Sequence, residues 1–248
     1  MEICAVIPAA GLGSRLGMRK PKLLAPVSSD ETIWSILREK IAPIVDHINV
    51  IASPAGERFI RDAIDKHAIK SKKVSISIQA QPVGMGDAIF CGYPIWSQAH
   101  TIVIIWGDQV FVSQDTLQRS LATHAKAHHT ITLPLARVSH PYVEYVFDSQ
   151  HQLVDIKQTR EGDSCASMGL SDVGTFILST QSLLVQWEKY TAMSPMGKST
   201  GELNFLPFLK FLVQQHWNIE KVMVDNPLES RGINTAQDLA FFQQLLME

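Results

Sequence analysis

Ile3-Cys4-Ala5-Val6-Ile7-Pro8-Ala9-Ala10-Gly11-Leu12-Gly13-Ser14-Arg15-Leu16, continued by Lys20-Pro21-Lys22, is the stretch on which the fold turns. Its first six residues form an apolar run of strand length and predict a buried strand. The run empties into a loop with two glycines, which lets backbone N–H groups come close to a ligand. Arg15 and Lys22 flank that loop with positive charge. Small residues, free N–H groups and paired cations suit a polyphosphate, on which catalysis is mainly positioning and charge neutralisation.

The glycines at 11, 13 and 17 are spaced G-x-G-x-x-x-G. The dinucleotide fingerprint needs its third glycine one residue earlier and an acid at the end of the second strand. That strand is predicted over His47–Ala52 and runs into Ser53-Pro54 without an acid. No G-x-x-x-x-G-K-[ST] occurs either. On the glycines alone, a tight strand-to-loop turn with ordinary surface cations fits equally well.

Working outward, strands are predicted at Ile3–Pro8, His47–Ala52, Val74–Gln79 and Thr101–Trp106, separated by helices near Ile33–Ile41, Gly56–His67 and Asp87–Ser97. Such alternation implies right-handed crossovers and a mostly parallel sheet. A helix near Gln114–Ala127 and a strand at Thr130–Arg137 follow. The rhythm then changes to short-linked strands at Tyr142–Phe147, Leu153–Lys157 and Val173–Leu178, as in an antiparallel lobe. Helices near Gln181–Tyr190 and Leu203–Gln215, a strand at Ile219–Val224 and a helix at Ala236–Leu246 complete the pattern. The expectation is one α/β domain over 1–248: a nucleotide-binding half (1–137), an acceptor-binding half (138–235) and a C-terminal helix (236–248).

Composition bounds the function. The chain has 248 residues, 46% hydrophobic and 19% charged, enough for a substantial core. A net charge of −2 gives no electrostatic case for nucleic acid. Glu2 stands where a basic leader would begin and no apolar run reaches membrane length, so a cytoplasmic location without a membrane span is expected. Cys4, Cys91 and Cys165 form no C-x-x-C pair and read as reduced thiols. His124, His128 and His129 have no further ligand at metal spacing and read as a solvated helix end. The oligomeric state is left open.

Three more segments stand at predicted strand ends, where ligands of open α/β sheets bind. Gln79-Ala80-Gln81-Pro82-Val83-Gly84-Met85-Gly86-Asp87-Ala88 offers an amide donor and acceptor, as a pyrimidine edge requires, before glycines that open a helix. Trp106-Gly107-Asp108 puts an acid at the end of an apolar strand, where it must face the cleft. Gly232-Ile233-Asn234-Thr235 precedes the last helix.

Together with A-A-G-x-G-S/T-R and the later P-K, these segments resemble the sugar-phosphate nucleotidylyltransferases, above all the N-acetylglucosamine-1-phosphate uridylyltransferases. The resemblance implies a Rossmann-like, mixed and mostly parallel sheet flanked by helices, with a small antiparallel sugar-binding lobe. It implies that Ala9, Ala10, Gly11 and Gly13 wrap the triphosphate, and that Arg15 and Lys22 bind phosphate and stabilise the transition state. Gln79 and Gly84 would contact the base, with Met85 replacing the usual threonine. Asp108 and Asn234 would hold Mg2+, a cation that suits carboxylate oxygens and substrate phosphates. Asn234 also fits a helix cap.

The resemblance loosens in the acceptor half. Tyr145 stands where relatives place a sugar-contacting glycine and is expected to occupy or wall the cleft. Gln158 replaces an acid, Asp172 replaces an asparagine, and Glu202 and Asn204 stand where acceptor-site residues fall. An acceptor other than N-acetylglucosamine 1-phosphate is therefore expected. The bifunctional relatives append an acetyltransferase β-helix; these 248 residues carry none, so that activity is not expected. The partners expected are a pyrimidine nucleoside triphosphate and a phosphorylated acceptor. Alternatives are a cytidylyltransferase on a non-sugar phosphate such as phosphocholine, and a nucleotide-binding regulator without catalysis. A glycosyltransferase is disfavoured because Asp108-Gln109-Val110 lacks the second acid of D-x-D.

Overall fold

Pure apolar strands must be covered on both faces, and the N-terminal strand obeys that rule. In β1 (Ile3–Pro8), Cys4 and Val6 enter one core while Ala5 and Ile7 enter the other, all fully buried. The computed structural model describes residues 1–11, 16–18, 20–66, 73–127, 130–193 and 195–246. In chain order the elements are β1, α1 (Ile33–Ile41), β2 (His47–Ala52), α2 (Glu57–Lys66), β3 (Lys73–Ile78), α3 (Met85–Cys91), α4 (Tyr93–Trp96), β4 (Thr101–Ile105), α5 (Gln114–His124) and β5 (Thr130–Ser139). Then come β6 (Val143–Phe147), β7 (Leu153–Gln158), β8 (Met168–Asp172), β9 (Thr175–Ser179), α6 (Leu183–Thr191), α7 (Leu206–Gln214), β10 (Asn218–Val224) and α8 (Ala236–Leu245).

The strands form a mixed sheet in the order β3-β2-β1-β4-β9-β5-β8-β6-β7, with β10 parallel along β5. β1, β2, β3 and β4 are parallel neighbours, and β9 enters antiparallel to β4. β5 pairs through Ile131 and Thr132 with β9, and through Leu135–Ser139 with β8. The antiparallel lobe of β6, β7 and β8 thus continues the main ladder. Val173 and Gly174 link β8 to β9 at that changeover. Helices cover both faces: Phe205, Phe208 and Trp96 pack in one core, Trp34, Leu37 and Phe242 in the other. No helix among the described residues is long and apolar enough to cross a membrane.

Two elements differ from expectation. The strand predicted at Val173–Leu178 is displaced: Val173 and Gly174 are the connection, and β8 precedes them. Met-Gly-Leu-Ser-Asp carries residues depleted in strands, so pairing with β5 and β6, not propensity, makes β8 a strand. The single helix predicted over Asp87–Ser97 is two, α3 ending at the Gly92 cap and α4 starting at Tyr93, because Pro94 has no N–H to continue the α3 ladder onto Phe90 O.

α5 ends on His124, which is not solvated as expected but buried against the sheet, with Nδ1 3.0 Å from Thr132 Oγ1 and Nε2 3.4 Å from Ser179 Oγ; His128 and His129 lie outside the described residues. Burial pushes its pKa down from 6.5 to about 4. The folded state resists the proton that the unfolded chain accepts, so stability present above pH 6.5 is lost as pH falls toward 4. The loss reaches about 3 kcal/mol at most. His124→Gln is expected to flatten this part of the melting-temperature profile; an unchanged slope between pH 6.5 and 4 would reject the assignment.

Candidate active site

The parallel strands β1 and β4 deliver their C-terminal ends to one side of the sheet, and the predicted phosphate and metal residues meet there. Lys22 Nζ donates to Asp108 Oδ2 at 2.5 Å and to Asn234 Oδ1 at 3.1 Å. Backbone contacts fix this triad: Ile233 N–H donates to Asp108 O at 3.0 Å, and Lys22 N–H to Gly11 O at 3.3 Å. At Gly232 a Cβ would stand 3.2 Å from the Asp108 carboxylate and 3.3 Å from Asn234 Nδ2, so its absence lets the two side chains approach. Asn234 does not cap α8; Thr235 does, accepting from Asp238 N–H. A carboxylate and an amide oxygen that already converge on one cation form a hard oxygen pair of the kind magnesium takes alongside phosphate oxygens. Asp108 and Asn234 therefore fit Mg2+.

Beside the triad lies a cleft of about 460 Å3. Of the predicted residues, Asp108, Asn234, Gln158, Asp172 and Asn204 line it. Asp172 is buried, and its Oδ1 accepts from Gly174 N–H at 2.7 Å. Loss of water holds its pKa above the ordinary carboxylate value, and the charge of Asp108 adds to the rise. Asn204 Nδ2 donates to Glu161, which also accepts from Ser199 N–H and Thr200 Oγ1. Part of the Asn204 amide is thus committed to holding the 199–204 segment.

Other expectations need correction. Tyr145 does not occupy or wall the cleft. It is 2% exposed in the core, paired across β6 with Ile156 and Leu170, and its hydroxyl lies beside Asp172. Glu202 does not line the cleft; it pairs with Arg160 at 2.7 Å. Ala9 cannot give its N–H to a phosphate, because it donates to Ile51 O at 2.8 Å. Gln79 donates from Nε2 to Gly84 O at 2.9 Å and to Asp87 Oδ2 at 2.8 Å. Both neighbours are acceptors, so the amide orientation is fixed and only Oε1 remains for a base. Gly84 opens α3 at φ +147, with its missing Cβ directed at Leu203 backbone. Its close approach is to the chain itself. Ala10 is half-buried and Gly11 exposed on the loop. Gly13 and Arg15 lie outside the described residues.

Sequence reasoning missed Trp106, Gln109, Tyr142 and Arg160 as cleft residues. Each stood within or beside a quoted segment, but only the fold shows which way it points. Tyr142 is 59% exposed at the rim.

A family model described as a MobA-like NTP transferase domain matches residues 5–168. The chain belongs to that family. Its match runs from β1 into β8 and includes Lys22 and Asp108. The chain is 24% identical over 251 residues to the bifunctional protein GlmU of Clostridium perfringens, covering 99% of this chain and 52% of that one. GlmU of Thermotoga maritima is 24% identical over 247 residues, covering 98% and 51%. The chain thus spans about half the length of the curated relatives it matches. A Bacillus anthracis structure described as a glucose-1-phosphate thymidylyltransferase, in complex with sucrose, aligns with TM-score 0.77 at 14% identity over 98% of this chain and 94% of that one. The 4-diphosphocytidyl-2C-methyl-D-erythritol synthase of Anaerococcus prevotii aligns with TM-score 0.66 at 14% identity, covering 100% and 96%. These two likenesses support the fold of the NTP transferase domain: a mixed sheet flanked by helices.

Proposed function

We propose that this member of the family transfers a nucleoside monophosphate from a triphosphate to a phosphorylated acceptor of the sugar 1-phosphate type, releasing pyrophosphate. The observation that carries the reading is the convergence of Asp108, Asn234 and Lys22 beside a cleft at the strand ends. The acceptor phosphate oxygen attacks the α-phosphorus in line and the pyrophosphate oxygen departs. That phosphate is ionised at neutral pH, so the site needs no dedicated general base. Lys22 neutralises charge that builds on the phosphates, with Arg15 as its expected companion. Asp108 and Asn234 would hold Mg2+, which when bound supplies charge neutralisation to the phosphate oxygens. Gln79 would accept a hydrogen bond from the base, and the cleft residues Gln158, Asp172 and Asn204 would face the acceptor.

A lone acceptor at Gln79 Oε1 meets the N3–H of uracil or thymine, and it equally meets the N4 amino group of cytosine. A cytidylyltransferase is therefore the second reading. Calorimetric titration of UTP, dTTP, CTP, ATP and GTP in magnesium tests both, and one pyrimidine is expected to bind more tightly than either purine. Gln79→Leu should weaken binding of that pyrimidine by removing the acceptor. Unchanged pyrimidine affinity in that variant would leave Gln79 to holding Gly84 and Asp87 alone.

A further inference from the structure

Asp108 and Asn234 come from segments far apart in the chain, so the oxygens they would offer to Mg2+ are only as well placed as the two backbones beneath them. Asp108 opens an irregular run, residues 108–113, between β4 and α5. Asn234 lies in a second run, between the short turn Pro227–Ser230 and α8, and Ser230, Gly232 and Asn234 line the cleft.

The first run borrows its bonds from side chains elsewhere. Lys40, in the last turn of α1, donates from Nζ to Val110 O at 2.5 Å and to Val112 O at 2.9 Å. Glu229, 6% exposed, accepts Ser113 N–H on Oε2 at 2.9 Å. Loss of water pushes the Lys40 pKa down, and the charge of Glu229 opposes the fall. The Glu229 bond also replaces a local one. Ser113 caps α5, and in a capping box the third residue of the helix takes the N–H of its own cap residue. α1 does so with Ser35 and α8 with Asp238. In α5 that third residue is Thr116, whose hydroxyl accepts from Ser113 Oγ at 3.0 Å, and Glu229 takes the N–H from 116 residues away. The two runs are therefore stapled in opposite senses at both ends: Ile233 N–H to Asp108 O at 3.0 Å, and Ser113 N–H to Glu229.

Building on the transferase reading, we propose that Glu229 is a positioning residue for the metal pair, holding the two runs together and so setting the separation of the Asp108 and Asn234 oxygens. What matters is its reach. The Ser113 N–H asks for an oxygen at that distance, charged or neutral. Glutamine keeps such an oxygen in place; aspartate keeps the charge but withdraws the oxygen by one methylene.

The test uses the full chain as wild type, Glu229→Asp and Glu229→Gln, with Mn2+ as the probe. Electron paramagnetic resonance gives the Mn2+ Kd of protein loaded with the α,β-methylene analogue of its best-bound pyrimidine triphosphate. Pyrophosphate release gives the magnesium concentration for half-maximal rate, and melting gives stability. Glu229→Asp is expected to raise both Mn2+ Kd and half-maximal magnesium about tenfold. Glu229→Gln should leave both within about twofold of the wild type, although its melting temperature falls with the charge lost near Lys40. A residue that merely holds the loop would lower the melting temperature of both variants and leave Mn2+ Kd untouched; that result overturns the proposal. A Kd raised as much in Glu229→Gln as in Glu229→Asp overturns it too, because reach would then not be what the site uses. If the wild type neither binds Mn2+ with the analogue nor releases pyrophosphate with any phosphorylated acceptor, the transferase reading itself falls, and this proposal with it.

Discussion

Asp108→Ala is expected to lower pyrophosphate release about a thousandfold or more while leaving the fold in place. The loss follows from its position. Asp108 follows β4, shares Lys22 with Asn234, and lines the cleft. The alanine removes the charged oxygen of the pair suited to Mg2+. Stability should change little. The Lys22–Asp108 ion pair retains side-chain exposures of 24% and 16%, and pairs in contact with water contribute about 1 kcal/mol or less. The Asp108 backbone O keeps its bond from Ile233 N–H, and Lys22 keeps Asn234. Turnover and melting measured side by side check both halves. Near-wild-type turnover would remove Asp108 from the chemistry; a collapse in melting temperature would make it structural.

Gly84→Ala should have the largest effect on stability. A Cβ at Gly84 would lie 2.5 Å from Leu203 O and 2.6 Å from Leu203 N, at φ +147 where side chains are rarely tolerated. Neither partner can swing away, because both are backbone. Leu203 N–H is committed to Val83 O at 2.8 Å, and Leu203 O accepts from Gly86 N–H at 3.0 Å. Backbone strain and overpacking together cost about 3–5 kcal/mol. For a chain of this length, that is a fall of roughly 10 °C in melting temperature. A change of a degree or less would show that the 83–86 segment yields easily.

The fold was more legible than the acceptor site, for a physical reason. Ile3–Pro8 and His47–Ala52 announce themselves as apolar runs buried on both faces, and their bounds were read to the residue. Lys22, Asp108 and Asn234 follow strand ends or precede a helix, positions that sequence periodicity locates. Tyr145 shows the limit. From its place in the chain it belonged at the cleft, but at the middle of β6, flanked by Ile156 and Leu170, its ring is packed into the core. β8 shows another, since a Met-Gly-Leu-Ser-Asp strand exists only through its partners. Gln109 needed both lessons: its neighbour across the β8–β9 linker, Gly174, is remote in sequence and adjacent in space.

The unbroken ladder from β4 through β9 and β5 to β8 has a mechanical consequence. Two enzyme halves joined by a hinge could adjust the gap between them to suit ligands of different length. Here two acids that line the cleft, Asp108 and Asp172, are fastened to one hydrogen-bonded frame through Trp106 and Gly174. On the proposed reading, the frame works as a gauge of fixed span: an acceptor is accepted when the distance from its phosphate to its far end matches that span. Homologous acceptors longer or shorter by one carbon should then fail by misfit at one end, however well each end is recognised alone.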